Sequence, residues 1–339
     1  MIGSRRAGSI LRWLLVMAVG LACNLAVFAT PAAASNLSAT DGRASIQRVD
    51  PAGVVSVGVI GGDAALRVIA SPGHEVVVLG YEMEPYLRIA ADGHTAVNLH
   101  SPARTLNRTR NGSSGGGTAD AGVEPEWIPL DTSGEVIWHD HRIHSMTAAD
   151  TGHAWTVSLL VDGLPTTIHG DLRIDAPPSV LPWVLCIAAL LAAGLWIGRR
   201  NPNTAALVTA GIAATITLVL AVLITSATPA PLGRDLLPVL LCIGAWLTCI
   251  TGSLLAGRGR LITTIASAAL SAGVLATMLG DLSHAVPMPI LGPPILDRIL
   301  VSVAVASVLS SIVLVVIGAG RPGDVSTAEH GAGPTPITG

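Results

Sequence analysis

The 339-residue chain contains no lysine, so arginine supplies all nineteen of its basic side chains, an absence from which we infer no function. Charged residues make up only 12% of the chain against 50% apolar residues, which is typical of a protein with several membrane-embedded segments. Cysteine is absent between residues 35 and 178, because the four cysteines are Cys23, Cys186, Cys242 and Cys249. This excludes a disulfide framework for that region, which needs an ordinary hydrophobic core.

The first 34 residues have the organisation of a secretory signal peptide. Arginines near the start precede the apolar run Leu14–Phe28, which is followed by the small-residue site Pro31–Ala34. We expect cleavage after Ala34, so that the mature protein begins at Ser35. The alternative is an uncleaved segment that is kept as a sixth helix.

Five later segments are apolar and long enough to cross a bilayer, which takes about 20 residues in a helix. Five arginines lie on one side of these segments and two on the other, and the positive-inside rule assigns the richer side to the cytoplasm. The spans lack ionisable residues at mid-depth, which argues against a coupled transporter or proton pump. The segments are Val180–Gly198, Thr204–Thr225, Asp235–Ala256, Leu261–Leu282 and Asp297–Ile317.

These features predict a multi-pass protein of the cell membrane with four parts. Residues 1–34 are the signal peptide, residues 35–178 an extracytoplasmic domain, residues 179–320 a five-helix transmembrane domain, and residues 321–339 a disordered cytoplasmic tail. Residues 35–178 carry nine arginines against seventeen Asp and Glu, a formal charge of −8. Such a charge argues against nucleic acid or anionic lipid headgroups as partners and is compatible with cations.

Residues 35–178 have the pattern of an antiparallel β-sandwich. Short runs rich in Val, Ile and Leu, such as Val54–Ile60 and Pro85–Ile89, alternate with turns rich in Gly, Pro and Asp. Asp162-Gly163 separates the runs Trp155–Val161 and Thr166–Ile174, a strong indication of a hairpin. The predicted fold is therefore an all-β domain followed by an α-helical membrane bundle of five transmembrane helices.

The string Trp138–His144 is the one constellation outside the membrane spans that indicates chemistry, because it contains three histidines. On a strand, His139 and His141 project to the same face and could bind one ion. His144 lies on the opposite face of an unbroken strand, and it joins the pair only if the chain bends after Arg142.

Two neighbours of the histidines extend this candidate metal site. Met146 could add a soft sulfur ligand, and Asp140 could orient an imidazole from behind the ligand shell. Imidazole with sulfur in an exported domain favours copper before zinc. The alternatives are a structural corner, in which Asp140 pairs with Arg142 and Trp138 packs in the core, and a surface that binds a partner.

The string Gly80–Arg88 is the second distinctive feature, since it contains both tyrosines of the chain. Glu82 and Glu84 could form a carboxylate pair for a cation or for acid–base chemistry. The structural alternative packs Tyr86 in the sandwich and pairs Arg88 with a glutamate. We favour the structural alternative, because no nucleophile or complementary base accompanies the pair.

These strings, with Asn98, Ser101-Pro102 and Asn107, resemble a family of actinobacterial multi-pass membrane proteins whose exported domain carries a W-H-D-H-R-x-H motif. The resemblance covers most of residues 50–175 and the spans, although Ser145 stands where that family has Trp. It implies architecture and an envelope location, and no activity. The layout also resembles CopC-type copper proteins, which use a mature N-terminal histidine that Ser35 does not supply.

The leading hypothesis is a membrane-anchored extracytoplasmic binding module, without catalytic activity, that binds copper or another transition metal through the histidines. The alternative is a structural or interaction module that binds an envelope protein partner and uses no metal.

Overall fold

The computed structural model describes residues 37–108, 120–145, 151–229, 232, 234–288 and 293–319. The predicted signal peptide, the predicted tail and Met146 lie outside these residues. Within them, an antiparallel β-sheet domain of ten strands in two sheets precedes five long apolar helices, which confirms the predicted fold class.

The β-domain is a sandwich of two antiparallel sheets. Seven strands pair in the order β1-β10-β9-β4-β5-β6-β7, and three pair in the order β2-β3-β8. The strands are β1 (Gly42–Asp50), β2 (Val55–Ile60), β3 (Ala65–Ala70), β4 (Val76–Leu79), β5 (Pro85–Ile89), β6 (Thr95–Asn98), β7 (Trp127–Pro129), β8 (Glu135–Trp138), β9 (Gly152–Val161) and β10 (Leu164–Ile174). A short helix, α1 (Pro102–Leu106), follows β6.

Alternating apolar residues from both sheets form the core of the β-domain, because successive side chains of a strand point to opposite faces. Leu66 and Val68 of β3 pack with Val157 and Leu159 of β9, and all four are fully buried or nearly so. The hairpin predicted at Asp162-Gly163 joins β9 to β10. Both of its turn residues have positive φ, which a two-residue turn of this kind requires.

Five helices long and apolar enough to cross a membrane follow the β-domain in the described part of the chain. They are α2 (Leu181–Gly198), α3 (Pro202–Ala227), α4 (Leu237–Leu254), α5 (Gly257–Ala276) and α6 (Pro294–Ala319). Each coincides with one predicted span, although the fourth helix ends at Ala276 and a separate 3-10 turn covers Leu279–Leu282.

Small residues at the helix interfaces allow the backbones of the bundle to approach closely. The α3–α6 pair forms an extensive interface, in which Ala206 and Leu314 are buried. Across it, Ser311 Oγ donates to the Ala206 carbonyl at 3.0 Å. Helix α2 packs on α6 and leaves most of its apolar surface exposed, as expected for a helix in contact with lipid.

The β-domain also rests on two loops of the bundle. Thr40 and Val286 exchange two backbone hydrogen bonds, so the segment before β1 pairs with the loop between α5 and α6. Leu232, in the loop between α3 and α4, packs against Leu37 and Ile137 of the β-domain. The two loops and the β-domain therefore lie at the same end of the bundle.

Candidate functional site

The chain bends at Asp140, so the histidine string is not one unbroken strand. Strand β8 ends at Trp138, and a 3-10 turn covers His141–Ile143. Asp140 caps this turn, because its Oδ1 accepts the Arg142 backbone N–H at 3.0 Å. The bend considered from the sequence was placed after Arg142. The bend in the structure lies earlier, at Asp140, and it brings His144 back toward His139 and His141.

Asp140 fixes the bend through an ion pair. Its carboxylate accepts Arg142 Nε at 2.8 Å and Nη2 at 2.7 Å, and it accepts the Trp138 indole N–H at 2.8 Å. Burial is the largest influence on this carboxyl and opposes its ionisation. The hydrogen bonds and charge of Arg142, with the Trp138 bond, nevertheless hold the pKa of Asp140 below its usual range. The structural pairing of Asp140 with Arg142 is therefore confirmed.

Tyr81 joins the bend to the rest of the domain. The Arg142 guanidinium lies 4.9 Å from the centre of the Tyr81 ring, a cation–π contact. The Tyr81 hydroxyl accepts the His141 backbone N–H at 2.9 Å and donates to Asn107 Oδ1 at 2.6 Å. Burial raises the pKa of Tyr81, which keeps the hydroxyl protonated and able to donate.

Glu84 has a structural role and does not form a carboxylate pair with Glu82. Its buried carboxylate accepts the Ser101 hydroxyl at 2.7 Å and the Glu82 backbone N–H at 2.9 Å. A side chain at Gly80 would overlap this carboxylate, so the turn requires glycine. Elsewhere in the string, Tyr86 is buried in the core and Arg88 pairs with Glu75 at 2.8 Å, as the structural alternative predicted.

Three imidazoles gather beside the bend. The His144 ring centre lies 6.0 Å from that of His141 and 6.4 Å from that of His139. His144 is 1% exposed and His139 is 2% exposed, so both rings are removed from water. His139 Nδ1 lies 2.5 Å from the Ala64 carbonyl. Because a carbonyl only accepts, Nδ1 carries the proton, and Nε2 of the neutral ring is left with its lone pair.

Neither ring nitrogen of His144 forms a hydrogen bond with a residue that the structure describes. Its Nδ1 lies 3.8 Å from Oδ2 of Asp63, a fully buried carboxylate in the turn between β2 and β3. The sequence did not predict Asp63 as part of this site, because no neighbouring residue indicates that it lies close to the histidines. It reaches the histidines because β3 pairs with β8, with Leu66 opposite Trp138, so the residues just before β3 lie beside those just after β8.

The candidate residues therefore form a cluster of three imidazoles and one carboxylate at the end of β8. As they stand, no three His, Cys, Asp or Glu side chains in the described ranges are arranged to hold a metal ion. The described hydrogen bonds of Asp140 go to Trp138 and Arg142 and not to an imidazole. Met146, the predicted sulfur ligand, lies outside the described residues.

Most of the remaining described histidines have protein partners near the surface. His74 lies 2.6 Å from Asp162, and His153 Nε2 lies 3.0 Å from the Arg142 carbonyl. His94 and His100 similarly accompany acidic residues.

No protein-family model, curated protein or solved structure matches the chain. The resemblance to an actinobacterial membrane protein family therefore stays a prediction. Its quoted residues Tyr81, Asn107, Asp140 and Arg142 nevertheless meet in one network of hydrogen-bond and cation–π contacts.

Proposed function

We propose that the protein is a membrane-anchored extracytoplasmic binding module whose β-domain binds a transition metal ion, copper before zinc, through His139, His141 and His144. One observation carries the proposal. His144 is buried, forms no hydrogen bond to a described residue at either ring nitrogen, and lies near two other imidazoles. Burying an unpartnered polar group costs free energy. A metal ion bound to an imidazole lone pair would offset that cost.

The chemistry around His144 suits a borderline metal. The Ala64 carbonyl orients His139 through Nδ1 and directs Nε2 as a ligand, as carbonyls commonly do behind metal-bound histidines. Asp63 places a carboxyl oxygen 3.8 Å from His144 Nδ1. Imidazole and carboxylate together suit Cu(II) and Zn(II), and the expected sulfur of Met146 favours copper.

Metal binding requires the ligand atoms to converge, because metal–nitrogen distances are about 2.0 Å. Rotation of the His141 and His144 side chains would bring them closer, and such rotamer changes are common on binding. The Asp140–Arg142 pair holds the backbone of the bend in place while the rings rotate. A metal site formed in this way would combine the backbone bend fixed by Asp140 and Arg142 with imidazole rings that rotate when the metal binds.

The test is metal titration of the full-length protein in detergent after chelator treatment. We expect one Cu(II) per chain with micromolar or tighter affinity by calorimetry, and loss of that binding in the His139→Ala/His144→Ala variant. His94→Ala is the matched control, because that exposed histidine lies in a surface turn. A folded protein that takes up no stoichiometric copper or zinc would contradict the proposal.

Met146→Ala separates the two metals. Loss of thioether sulfur should weaken Cu(I) binding at least tenfold in a competition assay and leave Zn(II) binding unchanged, because zinc prefers nitrogen and thiolate donors. An equal loss of affinity for Cu(I) and Zn(II) would mean that the site binds metal without favouring copper.

The second candidate is an interaction module that binds an envelope protein partner without metal. It is favoured by the network of Asp140, Arg142 and Tyr81, which accounts for much of the histidine string in structural terms. Crosslinking in cells should then recover the same partner from the wild-type protein and from the His139→Ala/His144→Ala variant. Loss of the partner in that variant would favour the metal proposal over the interaction module.

A further inference from the structure

A cavity of about 600 Å³ lies at the edge of β8, where residues of both sheets line it. Strand β8 is the last of the three-stranded sheet, whereas the facing sheet continues past β5 through β6 and β7. The shorter sheet therefore leaves part of the longer one uncovered. The volume falls within the range of small-molecule sites.

The floor and walls of the cavity are largely apolar. Leu87 of β5 and Val97 of β6 are direct cross-strand partners on its floor. Val136 and Ile137, which point to opposite faces of β8, line the cavity where it meets the edge of that strand. Leu232, from the loop between α3 and α4, completes the wall. Because that loop belongs to the membrane bundle, the cavity reaches the membrane-facing end of the β-domain.

The acidic residues that line the cavity have partners of their own. Asp131 accepts the hydroxyls of Thr95 and Ser133 at 2.8 and 2.7 Å. Glu135 pairs with Arg67 of the neighbouring strand at 2.5 Å. These carboxylates are therefore not available as ligands for a cation in the cavity.

The arginines that line the cavity differ from the acidic residues in this respect. Arg104 of α1 and Arg108, just after α1, are exposed, and their side chains form no hydrogen bond or ion pair with any residue that the structure describes. Two cationic groups beside an apolar cavity complement a molecule with an anionic head and an apolar tail. The net charge of −8 describes the whole domain and not this rim.

We propose that the cavity binds an anionic phospholipid from the adjacent bilayer, with an acyl chain on the Leu87–Val97 floor and the phosphate at Arg104 and Arg108. Leu232 places the cavity beside a loop of the helix bundle. Arg guanidinium groups are preferred partners of phosphate. His139, one of the proposed metal ligands, also lines the cavity. The lipid proposal does not rest on the metal proposal, because the two arginines and the apolar floor carry it and their variants leave the histidines unchanged.

The test is binding of acyl-labelled fluorescent phosphatidylglycerol and phosphatidylcholine to the full-length protein in detergent. Wild-type protein should bind phosphatidylglycerol at least tenfold more tightly than phosphatidylcholine. The Arg104→Gln/Arg108→Gln variant should lose that preference. Arg48→Gln/Arg173→Gln is the matched control, since it removes two exposed arginines that do not line the cavity, and it should retain the preference.

A second variant tests the acyl-chain site. Val97→Trp fills the cavity and should abolish binding of both lipids while the protein still melts cooperatively. If this variant fails to fold, the arginine variants alone test the proposal. The proposal would be overturned if wild-type protein bound both lipids with equal affinity, or if the Arg48/Arg173 control lost the preference as well. Native mass spectra that show a bound peptide in place of a lipid would also overturn it.

Discussion

Asp41 Oδ2 lies 3.1 Å from His284 Nδ1, which links the segment before β1 to the loop between α5 and α6. Asp41 Oδ1 also accepts the Ala285 backbone N–H at 2.7 Å. Together with the Thr40–Val286 pair, these contacts attach the β-domain to the bundle at a point remote in sequence from the covalent connection at Asp175–Val180. The β-domain is therefore attached to the bundle by non-covalent contacts as well as by the covalent connection.

The Thr40–Val286 pair can be tested by a disulfide. A hydrogen-bonded antiparallel pair has Cα atoms about 5.5 Å apart, within the range that a disulfide spans. In a chain whose native cysteines are replaced, Thr40→Cys/Val286→Cys should form an intramolecular disulfide on mild oxidation, detected as a crosslinked peptide by mass spectrometry. Ala52→Cys/Val286→Cys should not crosslink. Reactive thiols that fail to join at 40 and 286 would contradict the docking.

Asp281 should make stability depend on pH. Burial, with the nearby Asp297 charge, raises the pKa of Asp281 from 3.8 to about 6, although Arg298, His284 and the Met288 N–H favour its ionised form. The folded protein therefore binds this proton more tightly than the unfolded chain. Protonation of Asp281 therefore contributes at most about 3 kcal/mol to the free energy of unfolding. This contribution is complete below pH 3.8 and is lost as the pH rises to about 6.

The Asp281→Asn variant removes this titration. Its melting temperature should exceed that of the wild type above pH 6, and the difference should shrink as the pH falls to 5. The exposed Asp50→Asn variant should follow the wild type at every pH. Parallel melting curves of Asp281→Asn and wild type from pH 5 to 8 would show that Asp281 is not protonated in the folded protein.

Asp140→Asn should destabilise the β-domain strongly. The amide cannot neutralise Arg142, and breaking a buried ion pair by removal of one partner costs about 3–5 kcal/mol. Thermal unfolding should therefore begin several degrees lower. Arg43→Gln breaks the exposed pair with Asp175, at 2.9 Å, and should cost less than about 1 kcal/mol. Similar small shifts for both variants would mean that the pair does not fix the bend.

The orientation of the chain can be tested by labelling. In a chain without native cysteines, a cysteine at the exposed Ala52 should react with an impermeant maleimide in intact cells, because the arginine bias predicts an extracytoplasmic β-domain. A cysteine in place of Ser326 should react only after the membrane is opened. The reverse pattern would invert the topology and remove the extracytoplasmic setting of the proposed metal site.

The sequence by itself determined the features that depend on local chemistry. Each membrane helix satisfies its own backbone hydrogen bonds, so a run of apolar residues suffices to predict it. The β9–β10 hairpin was predictable because Asp162-Gly163 has the conformational freedom that its turn needs. Strand β8 and the short helix α1 are among the elements that the sequence did not predict, because their few residues carry no distinct periodic pattern.

Only the tertiary structure decided which residues meet at the candidate site. Asp63 approaches His144 because β3 and β8 pair in one register, and that pairing depends on the packing of both sheets. The bend at Asp140 arises from its burial with Arg142 and Trp138, which no spacing within the string specifies. Contacts between residues distant in sequence depend on the whole folded core. Local patterns could therefore identify the histidines as candidates but could not predict which residues lie close to them.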